Sequence, residues 1–182
     1  MPVLPDLLES GLDLVLCGTA AGRKSAEAQA YYAKAGNRFW PTIYAVGLTP
    51  RRLAPQEYRE LLRWRIGLTD VAKEHIGQDA DIDRALVDVA ALHARIEAVR
   101  PAILALTSKN AASYALGLPT GRIPYGFQPE TIGTTLLFVL TSPSGAAGSN
   151  WSIEPWHALA DAVRALRRQP PRTSVVMPSA TN

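Results

Sequence analysis

The sequence predicts a three-layer α/β/α sandwich, in which a mainly parallel sheet carries helices on both faces, and three observations predict it. Leu12–Cys17 (LDLVLC), Ala102–Ser108 (AILALTS) and Thr134–Leu140 (TTLLFVL) are short, largely aliphatic runs of strand length, each leading into glycine or small polar residues. Segments of helical periodicity separate these runs, the order expected when parallel strands are joined by helical crossovers. The 182 residues, 47% hydrophobic and 19% charged with a mean hydropathy near zero, are enough to bury one core. One domain is therefore expected over residues 1–168, with a flexible tail over 169–182 that holds Pro170, Pro171 and Pro178 among mostly polar residues.

Leu12–Cys17 reads as the first strand and stops at Gly18. Gly18–Gly36 reads as a loop that feeds a helix from Asn37, a capping residue, to Val46, where Gly47 can end it; Pro41 fits only near such a helix start. Pro50 and Pro55 bracket a turn before PQEYRELLRWR, where Tyr58, Leu61, Leu62 and Arg65 recur at helical spacing and Gly67 is the expected stop. Leu68–Ala72 is expected to be extended and to present Thr69 and Asp70. From Asp81 to Val99, the residues Ile82, Leu86, Val89, Leu92, Ile96 and Val99 draw one apolar stripe, which predicts a long amphipathic helix. Ala102–Ser108 is the next strand and runs into a helix starting near Lys109. Gly117–Gly133, rich in Gly and Pro and carrying Arg122, Tyr125 and Phe127, reads as a loop or short hairpin. Thr134–Leu140 leads into the small-residue loop TSPSGAAGSN, and a last helix is expected over Glu154–Arg168. In an open α/β sheet, ligands sit beyond the carboxyl ends of the strands. The loops after Cys17, near Ala72 and after Leu140 are thus expected to share a cleft.

Nineteen Lys and Arg against sixteen Asp and Glu give a formal charge of +3 and a pI near 9.2, a weak bias towards polyanionic partners. Arg23, Lys24, Lys34 and Arg38 make the early segment locally positive, whereas Asp79, Asp81 and Asp83 gather elsewhere. A single cysteine, Cys17, excludes an internal disulfide, a four-cysteine cluster and a thiolate zinc cage. No two histidines have metal-ligand spacing, so no metal is expected. The loop around Gly18 and Gly22 lacks the GxxxxGKS phosphate pattern, which argues against an NTPase. No apolar run approaches the roughly 20 residues needed to cross a bilayer. Met1–Ser10 contains Asp6 and Glu9 and does not read as a signal peptide, so a cytoplasmic protein with no membrane partner is expected.

Four segments, CGTAAG, NRFWPTIYAVGLTPRRLAPQE, GLTD and TSPSG, resemble the mismatch-specific uracil/thymine-DNA glycosylases of the uracil-DNA glycosylase superfamily over residues 7–166. The most specific part is Asn37–Trp40 followed by Gly47, Leu48, Thr49, Arg52 and Leu53, at the family's distance from the first glycine loop. The resemblance implies a monofunctional enzyme of base excision repair that hydrolyses the N-glycosidic bond of uracil in DNA, without a cofactor, and leaves an abasic site. It implies DNA containing uracil, single-stranded or mispaired, as the partner of a monomeric, nucleoid-associated protein. In the family the first loop holds the extruded base with main-chain groups. Thr19 and Gly22 are therefore substrate-binding candidates, and Ser25 either joins them or caps a turn. Tyr32 falls where the family has an aromatic ring that stacks on the flipped base. Phe39 and Trp40, beside Ile43 and Tyr44 at helical spacing, are instead expected in the core.

The family's water-positioning asparagine is replaced here by Ala20, so another group must do its work. A carboxylate suits the task, because an ionised Asp accepts a proton from water and stabilises an oxocarbenium-like transition state. Asp70 is the candidate, on the pattern of other branches of the superfamily that lack the asparagine and are served by an aspartate outside that motif. Part of the family has lysine at this position, and an aspartate at a strand end also caps turns. Ser142–Gly148 matches the family segment that enters the DNA helix. Ser142 stands where that motif opens with asparagine and is the second catalytic candidate; Ser144 is assigned to substrate, and Gly145, Ala146 and Ala147 to DNA. Alanines where the family is bulkier make a small wedge. Arg23 and Lys24, with Lys109 and Arg122, are candidates for phosphate contacts; His157, His75 and His93 carry no matched motif beyond the position of His157 after the wedge loop. Loss of the asparagine also fits a catalytically silent binder of damaged DNA on the same fold, and a small-molecule hydrolase on a similar sheet is a third reading.

Overall fold

Five strands form one sheet in the order β2-β1-β3-β5-β4 in the computed structural model, which describes residues 1–77 and 82–169. They are β1 (Leu14–Gly18), β2 (Ile66–Asp70), β3 (Ile103–Leu106), β4 (Gly126–Ile132) and β5 (Thr135–Val139). The first four in the sheet order are parallel, and β4 pairs antiparallel with β5 as an edge strand. Every residue of β1, β2 and β3 is buried, which explains why their sequences run as unbroken apolar stretches instead of alternating.

Successive side chains of each strand enter opposite layers. On one face Leu14, Leu16, Leu68, Ala105 and Phe138 pack with α2 (Phe39–Ala45), the 3-10 helix Pro55–Trp64 and α5 (Glu154–Arg168) through Phe39, Trp40, Ile43, Tyr58, Trp156 and Leu159. On the other, Val15, Cys17, Leu104, Leu106 and Val139 meet α3 (Val89–Val99) and α4 (Lys109–Leu116) through Leu92, Ile96, Ala111 and Ala112. These two apolar layers with the sheet between them are the predicted sandwich. Phe39 and Trp40 are buried, as expected. Asn37, one residue before the N-cap Arg38, accepts from the Phe39 N–H at the start of α2, and Gly47, at φ +79°, closes the helix by donating to the Tyr44 carbonyl.

Several boundaries differ from expectation. Gly18–Gly36 is not all loop, because Arg23–Ala28 forms a short helix, α1, stopped by Gln29 in the left-handed region. Arg65, at φ +55°, ends the 3-10 helix, and Gly67 lies within β2 instead of stopping the helix. The reason is Leu7, which exchanges two backbone hydrogen bonds with Leu68 and brings its carbonyl so close that a Cβ on Gly67 would stand 2.5 Å from it. The long helix over Asp81–Val99 is only Val89–Val99, because the Asp88 carboxylate accepts from Ala91 N–H and starts the helix there. Asp83 caps a separate 3-10 turn at Arg84–Leu86, and Asp81 lies outside the described residues, as does the tail from Pro170 onwards. Gly117–Gly133 resolves into a 3-10 turn and β4, the outer half of a hairpin with β5.

Gly67→Ala is expected to destabilise the fold by about 2 kcal/mol, since the added methyl meets backbone and not a movable side chain. The midpoint of urea unfolding measures this, and an unchanged midpoint would contradict the reading.

Candidate active site

Strand order reverses next to β1: the chain moves from β1 outward to β2, then returns across to β3 on β1's other side. At such a switch point the connecting loops diverge and leave a crevice at the carboxyl ends of the strands. A cleft of about 770 Å³ opens there. Gly18 and Asp70, the last residues of β1 and β2, are direct partners in the parallel register, and Thr107 follows β3 on the other side.

Gly18 makes this crowded floor possible. A Cβ on it would lie 2.6 Å from Asp70 Oδ1, 3.1 Å from the Tyr32 hydroxyl oxygen and 3.8 Å from Thr107 Oγ1. Three oxygens therefore converge on the space that a missing side chain leaves. Asp70 is only 4% exposed, and no hydrogen bond to its carboxylate is made by the described residues. Burial is the main cause that raises its pKa from 3.8 to about 6; Lys73 and Arg95 oppose the rise and Asp6 adds to it. Lys73 and Arg95 do not bond the carboxylate. Lys73 and Arg95 pair with Asp6, which also accepts from Thr69 Oγ1, and Arg95 donates to the Asp70 carbonyl.

Tyr32 sits in the wall with positive φ, +52°, its ring stacked on Phe39 at a centroid distance of 3.8 Å and an angle of 9°. One face is thus covered, and only the other is left for a ligand. Thr107 Oγ1 donates to the Cys17 carbonyl, so its remaining capacity is to accept from the Tyr32 hydroxyl, 3.2 Å away. The phenol proton is then directed to Thr107 and not to Asp70. Burial and the Asp70 carboxylate both raise the Tyr32 pKa well above its usual value, which keeps that proton in place.

The first loop is fixed from its outer side, where the carbonyls of Gly18, Thr19, Ala21 and Gly22 accept from Val71, Ala72, Gly77 and Ala26. Thr19, Ala20, Gly22 and Ser25 line the cleft; Ser25, inside α1, also accepts at its Oγ from Ala33 N–H and so ties α1 to the segment that follows it. Ser142, Ser144, Ala146 and Ala147 border the cleft from the loop after β5, whereas Gly145 packs towards Gly36. Ser142 Oγ accepts from Ser144 N–H, and Ser144 Oγ from Ala146 N–H. Arg38 holds this loop in place: its N–H donates to Pro143, its guanidinium donates to the Ser144 carbonyl, and it lies over the Trp151 ring.

Arg23 and Lys24 are exposed on α1 outside the cleft lining, and Lys24 is paired with Glu27. Lys34 and Lys109 do line it. His157 is exposed on α5, and neither it nor His75 nor His93 borders the cleft. Sequence reasoning missed Gly18 and Thr107 as site residues. Thr107 had a signal, since it lies one residue before the end of the predicted strand Ala102–Ser108; the role of Gly18 depends on strand register, which a single sequence does not carry.

A doubly wound sheet with a polar cleft at its switch point is an enzyme-like arrangement, and comparison with known proteins gives it a family. The profile of the uracil DNA glycosylase superfamily matches residues 5–167. The fold is similar to the solution NMR structure of a Methanosarcina acetivorans protein proposed to be a uracil DNA glycosylase, with a TM-score of 0.61 and 24% identity over 88% of this chain and 96% of that one. The chain belongs to the uracil DNA glycosylase superfamily, a class of DNA glycosylases.

The raised pKa of Asp70 has a thermodynamic sign. With a folded pKa of about 6 against 3.8, folding favours the protonated acid, so its contribution is full below about pH 4 and is lost as pH rises through 6. Asp70→Asn should therefore be more stable than the wild type by about 3 kcal/mol at pH 8, with the gap closing towards pH 4. Equal or lower stability of the variant at pH 8, read by urea unfolding, would contradict the burial argument.

Proposed function

We propose that the protein is a monofunctional uracil DNA glycosylase of base excision repair, nearest in its motifs to the mismatch-specific branch, acting on uracil in single-stranded or mispaired DNA. The observation that carries this reading is the buried, unbonded Asp70 carboxylate against bare Gly18, in the same cleft as Ala20. Ala20 has no group that can hold water. Asp70 supplies one on the neighbouring strand. Above pH 6 it is ionised in a site of low polarity, where a negative charge acts strongly on the positive charge that develops on the sugar as the base departs. The same oxygen accepts the proton as water attacks the sugar carbon.

The base lies between the first loop, Thr19–Gly22, and the open face of Tyr32. Ser142 accepts from Ser144 N–H at its oxygen, which leaves its O–H free to donate a hydrogen bond to the leaving base. The wedge side chains facing the cleft are Ala146 and Ala147, too small to fill the space of an extruded base. Extrusion from a stable pair costs a few kcal/mol, and this wedge recovers little of it. Substrates whose uracil is already unpaired are accordingly favoured.

Asp70→Asn should lower the rate of uracil release from a single-stranded oligonucleotide at least 100-fold while leaving binding within a few fold. Undiminished release removes Asp70 from the mechanism, and wild-type binding without release favours the silent damage binder. At equal salt the wild type should release uracil faster from single-stranded DNA and G:U pairs than from A:U pairs, and a clear preference for A:U would contradict the wedge argument.

A further inference from the structure

The weak wedge leaves the DNA strand without an obvious bulky contact near the cleft. Of the three tyrosines that line it, Tyr31 is 2% exposed and Tyr32 is committed to Phe39, but Tyr125 is 42% exposed. Its position follows from the sheet: Gly126 pairs with Val139, so Tyr125 stands level with the carboxyl end of β5, at the edge from which the Ser142–Gly148 loop also rises. Lys109, the first residue of α4, holds its ammonium 4.4 Å from the centroid of the Tyr125 ring. Among the described residues no carboxylate forms an ion pair with Lys109, in contrast to Lys24 and Lys73. An aromatic ring held at a cleft mouth beside an uncompensated cation matches the chemistry of a nucleotide, with a flat base for the ring and a phosphate for the charge.

We propose that Tyr125 and Lys109 form a platform for the nucleotide next to the extruded one, its base stacked on Tyr125 and its phosphate on Lys109. The platform rests on the glycosylase reading. It assigns the grip on the strand to the hairpin side of the cleft, and it extends specificity beyond the uracil to its neighbour. The ammonium fixes the ring from one face, so little side-chain freedom is lost when the base arrives on the other.

The test uses single-stranded oligonucleotides in which the neighbour of the uridine, on each side in turn, carries a base or a tetrahydrofuran lacking one. Wild-type kcat/KM should fall about tenfold when the base on one side is removed. Tyr125→Ala should be as slow on the intact strand as the wild type on the stripped one, and insensitive to stripping, while Tyr125→Phe restores the dependence. Lys109→Gln should flatten the salt dependence of kcat/KM by a log–log slope of about 0.7, one phosphate contact on a single strand. Wild-type release indifferent to both neighbours, neighbour dependence that survives Tyr125→Ala, or an unchanged salt slope in Lys109→Gln would overturn the platform. Absence of uracil release by the wild type on every strand would overturn the glycosylase reading together with it.

Discussion

The close approach of Asp70 to Gly18 is the constraint on which the candidate site depends. Parallel pairing puts the two residues side by side at the ends of β2 and β1, and only a residue without Cβ leaves room for the carboxylate there. Burial at that point does two things at once. It removes the water that would screen the charge, and it makes ionisation of the acid costly. The fold therefore stores at Asp70 a group that is unfavourable to the native state and useful to a reaction in which positive charge appears, the usual relation between stability and a functional site.

The surrounding structure keeps that group from collapsing into an ordinary salt bridge. Lys73 and Arg95 are near enough to temper its pKa, but their charges pair with Asp6, which Thr69 Oγ1 holds by donating to it. Tyr32 directs its proton to Thr107, and Thr107 in turn is held by the Cys17 carbonyl. Asp70 is left with nearby cations and, among the described residues, no direct donor. Its pKa of about 6 reflects this balance, low enough for the base form to dominate at neutral pH.

Much of this was legible in the sequence, and the limits follow from physics. Runs such as LVLC and ILAL are fully buried because helices cover both faces of the sheet, so their composition alone marked them as strands. α5 runs over Glu154–Arg168 as expected, and Trp156, Leu159, Ala160 and Val163 are its buried residues. The apolar stripe over Asp81–Val99 misled, because periodicity continues through Asp88 whereas the backbone stops at its cap. Gly67 misled for the opposite reason: glycine near a helix end suggests a stop, yet here it answers to Leu7, which is distant in sequence. Asp70, Tyr32 and Ser142, singled out by their place in the motifs, line the cleft. The stacking of Tyr32 on Phe39, the pairing of Lys24 with Glu27 and the convergence on Gly18 are tertiary facts with no local signature.

The most direct measurement couples the acid to the reaction: the ¹³C carboxyl resonance of Asp70 followed against pH in the free protein, beside the pH dependence of kcat/KM for uracil release. The account predicts one transition near pH 6 in both, with release rising as the carboxyl ionises. A carboxyl that titrates near 4, or a rate whose midpoint departs from that of the resonance, would contradict it.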